Sequence, residues 1–390
     1  MEEIAIHIGD SGFPYYFGSD CVDDIAEHLV RMDADRFIIV TDDIVMELYG
    51  ESVLAAISEI APITLLTHSP GEEMKRLSCL AEHIEQALAD GVTRKSIVVS
   101  FGGGVPGNLA GLMASLIFRG IRLVHIPTTT IAAMDSVLSL KQAINSGVGK
   151  NHIGAYYAPQ SVLVDVDMFG SLPDKELRSG LCEMAKNCLA IAPQSIDGLR
   201  RALLDGQLSS PSTLAWLLKE SVAAKSSVTI GDTYERGSGL VLEYGHTVGH
   251  AIELLDHRRQ GAAGLSHGES IALGMLVAAN ISNARGLLSD AELVIHENLI
   301  DALGVSAQAL ECFSVEDIVN VVRDDNKRGY LPSAPGTTPF VLLEKLGSPV
   351  MSAGLPLVPV SFEEIRAGIR AAVRSKYSTD ALDDSARLVH

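Results

Sequence analysis

The sequence predicts an α/β N-terminal domain built on a mostly parallel sheet, followed by a mainly α-helical C-terminal domain. Three observations carry that expectation. Over the first ~170 residues, short apolar runs alternate with helical periodicity. From Pro173 onward, long helical patterns take over. After one of the predicted strands stands a glycine-rich turn that opens a helix, the position where such sheets bind ligands.

Taken in order, Arg36–Val40 reads as a buried strand ending at Asp42 and Asp43. Ile63–Leu66 is the second. Gly71–Lys75 opens a helix whose periodicity runs on to Asp90. Ser96–Phe101, Arg122–Ile126 and Val162–Asp165 follow as strands. Such unbroken apolar runs suit strands covered on both faces. A Gly/Pro-bearing segment, Gly170–Pro173, separates the domains. Helical patterns then span roughly 174–192, 213–229, 240–257, 267–285, 290–303 and 315–324, with Phe340–Leu343 a late strand. The expected organisation is 1–171, 172–375 and a polar tail at 376–390.

The formal net charge is −19, which argues against a partner as anionic as nucleic acid. A few local lysines can still make a positive pocket for a small anion. The five cysteines are odd in number and form no C-x-x-C pair, which fits a reducing cytoplasm. No signal peptide is read at the N-terminus, and apolar runs such as Ile271–Ala279 are too short to span a bilayer, so no membrane is expected.

The segment Glu243–His250 is the most telling. On one helix Glu243, His246 and His250 fall at i, i+3 and i+7 and share a face, with His267 following at the start of another helix. A carboxylate and imidazoles so grouped suit metal binding or proton transfer. In the glycine turn, Gly102, Gly104 and Gly107 form G-x-G-x-x-G, with Pro106 in the first helical turn. Glycines there let a backbone approach a pyrophosphate, although such a turn can also be only a turn. Asp42, Thr128 and Thr129 end strands on the same side of the sheet, where they could cap helices or bind a ligand. Lys141 sits in an apolar context in which an unpaired lysine is costly. Glu183 and Lys186, at i and i+3, could be a simple helical ion pair.

Taken together, these segments resemble the sugar phosphate cyclases of the dehydroquinate synthase superfamily, from about Asp42 to Val350. The residues that carry the resemblance are Pro70-Gly71-Glu72 with Lys75, Gly102–Asn108, Pro127–Thr129, Asp135-Ser136, Gly149–Asn151, Glu183 with Lys186, Gly245–His250 and His267–Glu269. The resemblance implies a Rossmann-like first domain that holds NAD and a helical domain that supplies a divalent metal, zinc or cobalt. By position Glu183, His246 and His267 match its metal ligands, and His250 a second histidine near the substrate. Asp42, Glu72, Lys75, Gly103, Gly104, Val105, Gly107, Asn108, Thr128, Thr129, Ser139, Leu140 and Lys150 match NAD contacts. Asp135, Lys141, Lys150, Asn151, Lys186, Lys225, Lys327 and Arg328 match positions around the substrate and its phosphate.

Departures within the pattern point to one branch. Dehydroquinate synthases carry an arginine and an asparagine where this chain has Gly239 and Glu243. The segments Phe118–Ile121, Asp135–Ala143 and Asp325–Tyr330 look instead like the branch that makes 2-deoxy-scyllo-inosose from D-glucose 6-phosphate, for 2-deoxystreptamine aminoglycoside antibiotics. The implied reaction oxidises the C4 hydroxyl with NAD, eliminates phosphate, reduces the ketone back and closes the ring by an intramolecular aldol step, a lyase overall. Lys141 and Glu243 are then the expected acid/base groups, with His250 in a proton relay. Gly239 would suit a substrate without a carboxylate. A homodimer is also implied. The rival readings are 3-dehydroquinate synthase, a sedoheptulose 7-phosphate cyclase and, further off, a metal-dependent polyol dehydrogenase.

Overall fold

The computed structural model describes residues 1–147, 149–323, 329–331 and 334–374. The tail expected at 376–390 lies outside them, as do Lys327 and Arg328. The chain divides into two compact units, one of residues 1–180 with 208–234, the other of 181–207 with 235 onward.

The first unit contains strands β1 (Glu2–Ile8), β2 (Ser11–Gly18), β3 (Phe37–Asp42), β4 (Ile63–His68), β5 (Ile97–Gly102), β6 (Arg122–Pro127), β7 (Lys141–Ser146), β8 (Gly149–Tyr156) and β9 (Ser161–Asp165). Its helices are α1 (Val22–Val30), α2 (Asp43–Ser58), α3 (Leu77–Ala89), α4 (Gly104–Leu116) and α5 (Thr130–Met134). Seven strands form one sheet in the order β1-β2-β9-β6-β5-β3-β4. Only β1 and β2 pair antiparallel within it. Joined by β2, which pairs parallel with β9, the five strands expected from apolar runs all run parallel. They read as continuous because both faces are covered. On one face Ile38, Val40, Val98 and Leu123 pack with Leu80 of α3 and Leu109 and Met113 of α4. On the other, Phe37, Ile39, Val99 and Ile126 meet Ile25 and Leu29 of α1 and Val53 and Ile57 of α2.

Two hairpins carry no apolar run and were not expected. β1 and β2 alternate instead, burying Ile6, Ile8, Phe13, Tyr15 and Phe17 while their neighbours face outward. β7 and β8 form a separate two-stranded sheet, and β8 is exposed along most of its length. Chain order reverses between β3 and β5: β3 leads outward to β4, and β5 leads the other way to β6. Their carboxyl ends therefore flank the crevice where doubly wound sheets bind ligands.

The remaining helices are α6 (Asp174–Ala190), α7 (Ile196–Leu204), α8 (Pro211–Thr229), α9 (His246–Gln260), α10 (His267–Ala284), α11 (Asp290–Ala302), α12 (Val315–Val322) and, at the end of the described chain, α13 (Phe362–Arg374). The short strands β10 (Thr337–Phe340), β11 (Leu343–Lys345), β12 (Ser348–Pro349) and β13 (Val358–Ser361) precede α13. The late strand expected at 340–343 is thus split between β10 and β11. A single linear cut near residue 171 does not reproduce the compact units, because α8 returns to the first of them. There Ser221 donates to the carbonyl of Met134 and Lys225 pairs with Asp135. In the second unit α10 is the central element, buried from Gly268 to Ser282 and packed against α9, α11 and α13. Its apolar run, too short for a bilayer, is a core helix that is hydrophobic all round. No described helix is long and apolar enough to cross a membrane.

Candidate active site

In the second unit the expectation of one helix through Glu243, His246 and His250 needs correction. Glu243 ends a 3-10 turn, Ser238–Glu243, and α9 begins only at His246. Between them Gly245 adopts φ +81, a left-handed conformation that ends one helix and starts the next at a new angle. His246 and His250 do share a face of α9, at i and i+4.

Three glycines bring this helix onto α10. A Cβ on Gly274 would lie 1.9 Å from the carbonyl oxygen of Gly245 and 2.7 Å from the nitrogen of Gly249. A Cβ on Gly249 would lie 2.9 Å from the Cα of Ile271. Only glycine permits that approach, and it carries His267, first residue of α10, to the histidines of α9. The start of α10 is fixed by a capping box: Ser266 Oγ accepts from Glu269 N, and Glu269 Oε2 accepts from Ser266 N. Glu269 is therefore accounted for by the helix end.

The result is a compact donor set. One nitrogen from each of His246, His250 and His267 lies within 4.8 Å of the others. Glu183, buried on α6, places Oε1 3.9 Å from Nε2 of His246 and 3.6 Å from Nε2 of His267. That oxygen is buried and has no hydrogen-bond donor, while Oε2 receives Lys186 Nζ at 2.5 Å. The i, i+3 ion pair thus exists, but it is buried and uses one carboxylate oxygen only. An orphaned oxygen facing two imidazoles is costly unless a cation joins them. Carboxylate and imidazole donors suit zinc or cobalt, so the residues fit a divalent ion.

The ring orientations are set from behind. His246 Nδ1 lies 3.2 Å from the carbonyl of Tyr244, and His267 Nδ1 lies 3.1 Å from Glu253 Oε2. Protons on both Nδ1 atoms leave both Nε2 lone pairs directed at the site. Tyr244 is fully buried and its hydroxyl is 2.9 Å from His296 Nε2. Burial pushes the Tyr244 phenol up and holds His296 at about 4, so both stay neutral and the phenol donates to the ring. His296 is 0% exposed. Sequence reading missed Glu253. Its signal was available, since it follows His246 by seven positions and His250 by three and so lies on the same helix face.

In the first unit the residues expected around NAD fall into two groups. At the switch point Gly102 adopts φ +150, and a Cβ there would meet Pro106 Cγ at 2.8 Å and Asp42 Oδ2 at 3.7 Å. Thr128 N donates to Gly102 O, and Thr129 caps α5 through Ala132 N. Asp42 caps α2, its Oδ1 accepting from Ile44 N and Val45 N, so the capping reading holds for both residues. A Cβ on Gly104 or Gly107 would meet no heavy atom within 4 Å. The N-terminus of α4, between Gly103 and Val105, receives no side-chain cap. This open, uncapped helix start fits a pyrophosphate. Asn108 turns its side chain to the backbone, donating to Gly104 O and accepting from Ala143 N of β7.

In the second group, Glu72 and Lys75 line a groove of about 530 Å³ together with Asn145 and Ile153 among others. Lys75 Nζ donates to Asn151 Oδ1, and Glu72 Oε1 accepts from Asn145 Nδ2. Asn145 and Asn151 were brought there by the β7–β8 hairpin, a long-range event with no local signature. Ser139 and Leu140 are buried before β7, and Lys150 is exposed on β8. Lys141 is exposed as well, which overturns the argument from its apolar context. Strand alternation turns its neighbours Gln142 and Ile144 inward and leaves the lysine outside. Lys225 is buried and bonded to both Oδ1 and the carbonyl of Asp135.

Comparison with known proteins accords with this geometry. Residues 65–179 match the family model of the 3-dehydroquinate synthase N-terminal domain, and 180–328 that of its C-terminal domain. A 2-deoxy-scyllo-inosose synthase of Streptomyces kanamyceticus is 48% identical over 92% of this chain and 90% of its own. A crystal structure of a 2-deoxy-scyllo-inosose synthase, solved with carbaglucose-6-phosphate, NAD+ and Co2+, superposes with a TM-score of 0.86 at 35% identity, covering 95% of this chain and 99% of that one. A 2-epi-5-epi-valiolone synthase from Streptomyces hygroscopicus, with NAD+ and Zn2+ bound, shares the fold at 22% identity and a TM-score of 0.78, over 94% of this chain and 98% of its own. The chain therefore belongs to the dehydroquinate synthase superfamily and, within it, to the family of 2-deoxy-scyllo-inosose synthases.

Proposed function

We propose that this chain converts D-glucose 6-phosphate to 2-deoxy-scyllo-inosose and phosphate, as a carbon–oxygen lyase of 2-deoxystreptamine aminoglycoside biosynthesis. The observation that carries the reading is the 48% identity to a named synthase along nearly the whole chain. The buried Glu183 oxygen aimed at two imidazoles supports the chemistry independently. NAD, when bound, takes a hydride from C4 and later returns it, and a divalent ion supplies the positive charge that acidifies the sugar hydroxyl.

The first domain, read as 1–171, is assigned to NAD and the second, 172–375, to metal and substrate. Glu183, His246 and His267 hold the ion. Gly103, Gly104, Val105 and Gly107 cradle the pyrophosphate at the start of α4, and Asn108 braces that start against β7. Asp42, Glu72, Lys75, Thr128, Thr129, Ser139, Leu140 and Lys150 complete the cofactor contacts. Lys141 and Glu243 exchange protons with the sugar, and His250 relays a proton. Lys150, Lys186 and Arg328 grip the phosphate, and Asp135, Asn151, Lys225 and Lys327 orient the hydroxyls. Gly239, where dehydroquinate synthases carry an arginine, suits a substrate without a carboxylate. The enzyme acts in the cytoplasm, as its five free cysteines suit, and as a homodimer.

The test is incubation with glucose 6-phosphate, NAD and zinc or cobalt. One phosphate should appear per carbocycle, with no net NADH. Stoichiometric NADH without phosphate would mark a polyol dehydrogenase. Turnover of a heptulosonate or heptulose phosphate instead would mark a sibling cyclase.

A further inference from the structure

We infer that Glu253 is a positioning residue that sets the tautomer and donor strength of His267; the inference rests on the metal reading above. Its carboxylate oxygen Oε2 lies 3.1 Å from Nδ1 of His267, on the side of the ring away from Glu183. The side chain is 16% exposed, so the charge is only partly screened by water. An imidazole that gives Nε2 to a cation must carry its proton on Nδ1, and a carboxylate is the strongest acceptor a protein can place there. His246 is treated differently, since its Nδ1 faces a neutral carbonyl, that of Tyr244. The two imidazoles thus differ in what faces Nδ1, a charged carboxylate for His267 and a neutral carbonyl for His246. The asymmetry has a purpose in the fold. Both rings belong to the first residue of their helices, but the His246 side chain is 11% exposed and that of His267 31%. The more exposed ring needs a second anchor, and α9 supplies one from the same face that bears His246 and His250.

The test is Co2+ titration of the metal-stripped protein, by competition with a chelator, for the parent, E253A and E253Q. E253A should lose about 10- to 100-fold in affinity. E253Q, which keeps an oxygen acceptor without the charge, should lose less. The visible spectrum of bound Co2+ should shift in E253A, a change that a merely structural role would not produce. Urea unfolding of the metal-stripped forms and NAD binding should be unchanged in E253Q. A parent that binds one ion, with E253A binding equally tightly and with the same spectrum, overturns the inference alone. A parent that takes up no ion overturns the metal reading, and this inference with it.

Discussion

Gly104→Ala separates fold from cofactor binding at the switch point. Gly104 is the first residue of α4 and is not in the left-handed region, and an added Cβ meets nothing within 4 Å. The substitution therefore costs no packing. It should stabilise the protein by about 0.4–1 kcal/mol, by restricting the unfolded chain. NAD binding should move the other way. A methyl group in the cradle holds the pyrophosphate off the helix end and removes one charge-assisted hydrogen bond, about 1.5–3 kcal/mol. That corresponds to roughly 10- to 150-fold in Kd. Gly102→Ala is the contrast, since φ +150 and the 2.8 Å approach of Pro106 make it a folding defect first. Calorimetric titration with NAD, paired with urea unfolding, reads both quantities. A Gly104→Ala protein that binds NAD with the parent's Kd would refute the placement of the pyrophosphate.

Three further outcomes are expected. Gly274→Ala drives a Cβ against backbone at 1.9 Å, so it should cost about 3 kcal/mol, the upper end for overpacking, and weaken Zn2+ binding by parting α9 from α10; an unchanged urea midpoint counts against the packing argument. Glu183→Gln should abolish stoichiometric Zn2+ uptake and, by taking the negative charge out of the buried ion pair with Lys186, destabilise the metal-stripped protein by about 3–5 kcal/mol; metal analysis and urea unfolding check both. Burial holds His125 and His296 at about 4, below the value near 6.5 of an unfolded chain. The unfolded chain alone takes up these protons, so stability present above about pH 6.5 is lost as pH falls toward 4, by about 1.4 kcal/mol per pH unit for each histidine. A urea midpoint flat between pH 7.5 and 5 would contradict this.

The parallel strands, the glycine turn and the helices bearing the histidines were legible because their signals are local. An unbroken apolar run such as Phe37–Val40 reports a strand covered on both faces, and the glycines after Ser96–Phe101 report a turn. The β1–β2 hairpin escaped notice because its signal is alternation among polar neighbours. Periodicity also misled where backbone conformation intervened. It placed Glu243 on one helix with His246, but the left-handed Gly245 ends that helix, and the carboxylate that α9 itself carries on the histidine face is Glu253, bonded to His267.

Residue type and order by themselves determined the family, the glycine-lined helix start and the candidate donors. Tertiary packing decided which atoms meet. One oxygen of Glu183 goes to Lys186 and the other is left for the imidazoles, and no spacing along α6 can express that division. His267 reaches His246 only because Gly245, Gly249 and Gly274 let two helix backbones touch. The physical reason is that backbone preference is written in neighbouring residues, whereas the approach of side chains distant in sequence depends on how helices and hairpins stack.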